Sequence, residues 1–589
     1  RKGCRVRSEL RSDCFGSVAI LLPQLVFRGA LGVRDIDVDL IKERLSYAVP
    51  EGGQLPVSTR KYEWRFQDLY GNRRGRWLYR LASLGMANPE AAWTDVFGEE
   101  VHQSSFFAGY DFAVCAVADR TGSTLYRVEP PGKAIPLFHQ SQPLELRGLS
   151  GDERHLLVQS GGNGNWYRPE LLVLDGTGKL CARIGGAFGV AGCWEGAWSP
   201  VAGDDRIVFC HEAAGYFRPA IWAPFRGDLV DLRIPLDGEI YPMWDRTGTQ
   251  LILKRCRHGR SDVHRFFLES KKLETLQPCD GSVFRVHTDL DNQVVGLWAS
   301  NDRHVRAFRE RERSERNDFR PSRPLNPWHF RFVEKVPCFI AGTSAKDEQV
   351  WTIFDGYGMP GYHHTDGYNW KIHPLVDHGF QIVLVNTRGC GGFGREWREA
   401  TLGKVGFTEL EDMRKVRDAL VREGKVDPER TIIMGDSWGG YMALLAMGTQ
   451  SELWKICVAG EPVTDFSRLG QEACPIQWPR TRALIQGGPM ERPDEYRKTS
   501  AVSHVDTVKG PVLMMVGCHD ELCPPSQSLL FAEAVRKRGG VAEVDVFEGA
   551  HGPATREERL RVCLRMLSFL IEHCRAFDAK GTGQHQAGA

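Results

Sequence analysis

The stretch Thr431-Ile-Ile-Met-Gly-Asp-Ser437-Trp-Gly-Gly-Tyr-Met-Ala-Leu-Leu-Ala-Met447 decides the fold. Thr431–Met434 is a short apolar, β-branched run of strand type. Tyr441–Met447 is an apolar helical run. Gly435-Asp-Ser-Trp-Gly-Gly440 therefore falls directly between a strand and a helix. A GxSxG sequence is weak by itself, but in that context it is a nucleophile elbow. The turn is so tight that residues flanking the serine must be small, as Gly435 and Gly439 are. Ser437 then projects from the crest, with the N-terminus of the next helix beneath it.

Working outward, residues 331–577 alternate strands with helices. Strand-type runs are Val350–Phe354, Gln381–Val385, Pro511–Val516 and Glu543–Phe547. Helical patterns cover Glu409–Arg422, with Leu410, Met413, Val416 and Leu420 on one face, then Ser526–Lys537 and Arg556–Phe577. This alternation predicts an α/β-hydrolase domain: a doubly wound, mainly parallel sheet with helices on both faces. The Gly- and Ala-rich residues 578–589 read as a disordered tail.

A serine hydroxyl is a poor nucleophile until a base takes its proton. In the α/β-hydrolase order an acid and then a histidine follow the serine, each just after a later strand. Strand 511–516 runs into Gly517-Cys-His-Asp520, and strand 543–547 into Glu548-Gly-Ala-His551. The expected triad is Ser437 as nucleophile, His551 as base then acid, and Asp520 as orienter of the imidazole. His519 is a poor rival base, because in an extended peptide it points away from Asp520. Glu521 and Asp545 are rival acids, the latter disfavoured by lying inside a strand. One oxyanion donor should be the Trp438 backbone N–H. The second should come from Asp355-Gly-Tyr-Gly-Met-Pro-Gly361, after an early strand, as either the Tyr357 hydroxyl or the Met359 N–H. Trp438 and Tyr441 read equally as pocket border or as core packing.

Residues 60–315 read differently. Short β-type runs such as Leu156–Gln159, Glu170–Leu174, Arg206–Phe209, Gln250–Lys254 and Gln293–Leu297 are separated by polar turns. Asp111, Asp152, Asp205, Asp245 and Asp291 mark these turns at intervals of 41, 53, 40 and 46 residues. That period fits blades of a β-propeller, with a β-sandwich pair or an open β-array as the alternative. Residues 316–330 are read as a linker, continuing the charge-dense, proline-ended run 309–324. Residues 1–59 form an N-terminal segment, either partly packed on the hydrolase domain or disordered. Within it, basic residues precede an apolar run at 18–27. Pro23 and Gln24 interrupt that run, which favours an ordinary buried segment over a secretion signal.

At 589 residues the chain is too long for one ordinary core. Lys and Arg total 76 against 75 acids, so no basic excess marks a nucleic-acid partner. No apolar run is long enough for a membrane-spanning helix. Sixteen cysteines without a CxxC pair read as reduced, mostly buried thiols and favour a cytoplasmic location, with a secreted or periplasmic one as the alternative. No Walker A or HExxH sequence is present, so neither metal nor cofactor is expected.

The loop Gly356-Tyr-Gly-Met-Pro360, the segment Asn386-Thr-Arg-Gly-Cys-Gly-Gly-Phe-Gly394, Gly435–Tyr441, and the Asp520 and His551 segments with Pro524 and Gln527 between them resemble the prolyl oligopeptidase family of serine peptidases. The likeness covers about residues 350–555. It implies a β-propeller capping an α/β-hydrolase domain and cleavage of short or acylated peptides. It also implies Tyr357 as second oxyanion donor in the prolyl branch, and the backbone N–H at Met359 in the acylaminoacyl branch. The prolyl branch usually places Arg two residues after the catalytic Asp, where this chain has Leu522. The dipeptidyl branch uses a Glu pair to hold the substrate amine, and here only single candidates such as Glu195 and Glu212 stand out. The expected activity is therefore a serine hydrolase that cleaves short peptides, acyl-peptides or peptide-like amides through an acyl-enzyme, with the propeller restricting access to small substrates. An esterase or amidase acting on a specialised metabolite, and a propeller binding protein with an inactive hydrolase domain, are the alternatives. Arg388 reads as a structural ion-pair partner. Self-association is compatible with the sequence but not required by it.

Overall fold

The computed structural model describes residues 35–46, 57–58, 62–68, 74–81, 94–95, 101–108, 112–129, 134–161, 167–277, 280–310, 325–342, 350–475 and 477–586. The apolar run at 18–27, the turn at Asp111 and the charged run 311–324 lie outside these residues.

Residues 57–309 form consecutive antiparallel sheets. Strands from Val57–Ser58 to Ala134–Gln140 share one eight-stranded sheet. Three four-stranded meanders follow, opening at Leu144, Trp194 and Glu239, and then a three-stranded sheet opening at Ser282. The turns at Asp152, Asp205, Asp245 and Asp291 each join the first two strands of a sheet. The turn chemistry explains why Asp recurs there. Asp245 Oδ1 accepts from the N–H groups of Thr249 and Gln250, and Asp289 Oδ1 from those of Asp291 and Gln293. Successive sheets pack face to face. Leu157, Leu171 and Val173 meet Ile207, Phe209 and Trp222. Val208 meets Ile240 and Leu251, and Ile252 and Val263 meet Val283 and Val294. No sheet of this kind can bury both faces alone, so each depends on its neighbours.

The second domain is built on an eight-stranded sheet: β1 Trp328–Val333, β2 Val336–Ala341, β3 Thr352–Gly356, β4 Gln381–Val385, β5 Thr431–Asp436, β6 Ile456–Gly460, β7 Val512–Gly517 and β8 Ala542–Phe547. The spatial order is β1-β2-β4-β3-β5-β6-β7-β8. Strands β3 to β8 are mutually parallel, and β1 and β2 are antiparallel. Every residue of β3, β4, β6 and β7 is buried, as a parallel sheet covered on both faces requires. One face packs Met413, Met442 and Leu445, and the other packs Ile372, Met566 and Leu570.

Two expectations need correction. Strand β1 starts at Trp328, inside the expected linker. The last helix runs from Arg556 to Gln586, through residues read as a tail. Asp578 is anchored, accepting from Arg430 Nε (3.0 Å) and Trp351 Nε1 (3.2 Å). The N-terminal helix Val38–Ser46 lies on the hydrolase domain. Ile41 and Leu45 join its core, and Arg44 pairs with Asp377 at 2.8 Å.

The two domains meet through polar contacts, some of them fully buried. Arg398 holds Glu212 bidentately at 2.6 and 2.7 Å, both side chains being buried. Gly394 N–H donates to Glu239, and Arg168 pairs with Glu399. Asp366 accepts from Arg260 Nε (2.7 Å) and Asn301 Nδ2 (2.6 Å).

Candidate active site

Ser437 follows β5 and precedes the helix Trp438–Thr449. Its backbone sits at φ 54°, ψ −111°, a region that disfavours any residue with a Cβ and stores roughly 1–3 kcal/mol of strain. Close packing of backbone holds it there. A Cβ on Gly435 would lie 2.5 Å from Gly439 C, and one on Gly439 would lie 2.4 Å from Gly356 O. Ser437 N–H donates to Gly460 O at 2.7 Å, so the crest is pinned to the end of β6.

Asp520 and His551 come from the loops after β7 and β8. Asp520 is buried. Its Oδ1 accepts the N–H groups of Leu522 (2.8 Å) and Cys523 (2.9 Å), and its Oδ2 lies 2.7 Å from His551 Nδ1. Nδ1 is thereby committed to the carboxylate, and Nε2 is the ring nitrogen left for a proton transfer. The buried Cys523 thiol joins the groups. Its Sγ lies within 4.8 Å of the ligand-type atoms of Asp520 and His551. Burial pushes this thiol well above its ordinary pKa, so it is a packed SH group rather than a competing thiolate.

The site carries an excess of acids. Burial draws the His551 pKa down, but the hydrogen bond and charge of Asp520, with Glu461 and Asp436, outweigh it and raise the value to about 9. Glu461 directly follows β6 at φ 39°. Burial, together with Asp436, lifts its carboxyl to about 8. Lys371 supplies the counter-charge, its Nζ 2.5 Å from Asp436 Oδ2.

The expected oxyanion donors are placed as follows. Trp438 N–H donates to the Gly358 carbonyl at 3.1 Å. Tyr357 is buried in the core, and its hydroxyl donates to the Arg388 carbonyl at 3.3 Å. Met359 is 36% exposed, at the tip of the same loop. Tyr441 is fully buried against Trp438 and Phe466, which answers the pocket-or-core choice in favour of core. Leu522 packs on the hydrolase core and caps Asp520 through its N–H. Among the rivals, Asp545 is paired with Arg561 (3.0 Å) and Glu521 with His102 (3.4 Å), while His519 faces Glu548. Arg388 is tied to Asp412 and Glu411.

Sequence reading missed Cys523, Glu461 and Lys371. Cys523 is three residues after Asp520 and was visible as a neighbour. Glu461 required recognising β6, whose five residues carry no periodic signal.

The acid excess gives a direct expectation. In an NMR titration of the His551 imidazole, the ring should hold its proton to about pH 9. Glu461→Gln should lower that midpoint, because it removes a negative neighbour of the imidazolium. An unchanged midpoint in this variant would remove Glu461 from the electrostatics of the site.

Residues 366–576 match the model of the prolyl oligopeptidase family. The rice acylamino-acid-releasing enzyme 2 is 29% identical over 223 residues, which is 36% of this chain and 29% of the rice protein. The human acylamino-acid-releasing enzyme is 29% identical over 205 residues, 33% of this chain and 28% of its own. The matched region thus spans under a third of these relatives. A puromycin-hydrolyzing peptidase of Mycobacterium tuberculosis superposes with a TM-score of 0.72 at 16% identity, over 90% of this chain and 87% of that one. An acylaminoacyl peptidase of Pyrococcus horikoshii gives 0.56 at 13% identity, over 88% and 95%. The fold is therefore shared across almost the whole chain, and the region that matches the prolyl oligopeptidase family model lies within the hydrolase domain.

Proposed function

We propose that this chain is a serine hydrolase that cleaves short, N-acylated peptides through an acyl-enzyme. The carrying observations are the His551 Nδ1–Asp520 Oδ2 contact of 2.7 Å and a serine held on a strained elbow at the end of β5. His551 Nε2 takes the proton of Ser437 as Oγ attacks the substrate carbonyl, then returns it to the leaving amine. A water repeats the sequence to release the acid. The stacked N-terminal sheets close as a propeller over this face and admit only small substrates.

The oxyanion hole forms by a local rotation. In a trans peptide the C=O and N–H point to opposite sides. The Gly358 carbonyl that now accepts from Trp438 N–H belongs to the same peptide group as Met359 N–H. Rotating that group by about half a turn removes the carbonyl and presents Met359 N–H beside Trp438 N–H, giving two donors for the developing oxyanion. The Tyr357 hydroxyl keeps its partner at Arg388.

An acylated rather than a free amino terminus is favoured by the acids of the first domain. Glu195 is paired with Arg147 and Glu212 with Arg398, so neither offers an uncommitted carboxylate to a substrate ammonium. The names of the rice and human relatives agree with this class. Cysteines buried at most described positions are in keeping with a reducing, cytoplasmic location. No helix among the described residues is long and apolar enough to cross a membrane.

Hydrolysis of N-acetyl-alanyl anilide, free alanyl anilide and simple acyl esters tests the reading. The acetylated anilide should be cleaved best, with kcat/KM rising with pH through the His551 titration, and Ser437→Ala should be inactive. Turnover of esters alone, or activity surviving in Ser437→Ala, would overturn it. Tyr357→Phe should retain kcat within a few-fold. Losing a true oxyanion donor lowers kcat by about 10²–10³, and a loss of that size would place the donor at Tyr357 instead of Met359.

A further inference from the structure

The triad leaves unused a second cluster on the same two loops. Cys518 and His519 follow β7, and Glu548 follows β8. Glu548 Oε1 lies 3.0 Å from His519 Nε2, and Oε2 lies 3.4 Å from Cys518 Sγ. One ligand atom from each residue lies within 4.8 Å of the others, with Cys518 half-buried and the other two exposed. The backbone beneath them is fixed. Cys518 N–H donates to Phe547 O (3.0 Å) and His519 N–H to Gly549 O (2.9 Å). The chains approach so closely that a Cβ on Gly517 would fall 1.8 Å from Ala550 O.

We propose that Cys518, His519 and Glu548 form a binding site for one zinc-type divalent ion. One sulfur, one imidazole nitrogen and one carboxylate oxygen are the three donor types zinc takes. A water in the fourth position would complete a tetrahedron. The thiolate selects against magnesium and calcium, which prefer all-oxygen shells. Zinc–ligand bonds of about 2.0–2.3 Å set tetrahedral donors roughly 3.3–3.7 Å apart, slightly wider than the 3.0 and 3.4 Å at which hydrogen bonds hold two of the pairs. Binding displaces the thiol proton of Cys518 to solvent, so affinity rises with pH. The ion ties together the loops that carry Asp520 and His551. Asp520, Cys523 and His551 also lie within 4.8 Å of one another. Both Asp520 oxygens, however, are already committed to Leu522, Cys523 and His551.

The test uses the full chain, reduced with a non-chelating phosphine. Zinc is titrated in competition with a chromogenic chelator, and cobalt is read by its thiolate charge-transfer band. One equivalent should bind to the wild type, to Ser437→Ala and to Cys523→Ser. Cys518→Ser and His519→Ala should each weaken binding about tenfold or more, and Cys518→Ser should lose the cobalt band. Thermal melts of these two variants should match the wild type, since they alter loop side chains outside the core. Absence of zinc binding, or loss in Cys523→Ser with retention in Cys518→Ser, would overturn the assignment. The readout needs no substrate, so it stands or falls separately from the hydrolase reading.

Discussion

The architecture depends on how closely the helix after Ser437 can approach the sheet. Five glycines set that distance. Gly435, Gly439 and Gly440 on the elbow meet Gly356 and Gly460 at the ends of β3 and β6, and Cβ atoms on the three elbow glycines would lie 2.4–2.5 Å from the nearest backbone atoms. No side-chain rearrangement relieves a clash with backbone. The same contacts keep a non-glycine residue at φ 54°, a conformation the local chain would not choose alone. Strain at Ser437 is thus balanced by packing across three neighbouring strands, β3, β5 and β6.

Electrostatics follow from the same crowding. Asp355, Asp436, Glu461 and Asp520 all lie at the carboxyl ends of parallel strands, the usual place for a site in such sheets. Burial raises the Asp355 carboxyl well above its ordinary range, and Asp436 adds to the effect. Lys371 offsets part of this charge at Asp436. The remaining field favours the protonated form of His551, a property that suits stabilising an imidazolium in a transition state more than resting as a base at neutral pH.

Much of this was legible in the residues. GxSxG between an apolar strand and an apolar helix located the elbow, because both flanking elements are long enough to show their type. The Asp turns located the first turn of successive sheets, since Asx hydrogen bonds need that residue there. The five-residue strand β6 and the two antiparallel strands β1 and β2 were not legible. The five residues of β6 are all buried and alternate with nothing, while the sequence of β1 mixes charged and aromatic residues and four of its six are at least partly exposed, so neither shows a clean strand pattern. Glu461 was lost with β6. The direction of the Tyr357 hydroxyl and the partner of Trp438 N–H are decided by tertiary packing, which no local pattern encodes. The helix beyond Phe577 was missed because its residues lack an apolar face, while Arg430 and Trp351, far away in sequence, anchor Asp578.

The central claim is that one alcohol, at position 437, is activated by the His551–Asp520 pair. Treatment of the native chain with a fluorophosphonate, followed by intact-mass measurement and peptide mapping, addresses it without any choice of substrate. The account predicts one adduct per chain, located on Ser437, that forms faster as His551 loses its proton and is strongly slowed in His551→Ala. An adduct on another residue, or labelling of Ser437 at an unchanged rate in His551→Ala, would contradict it.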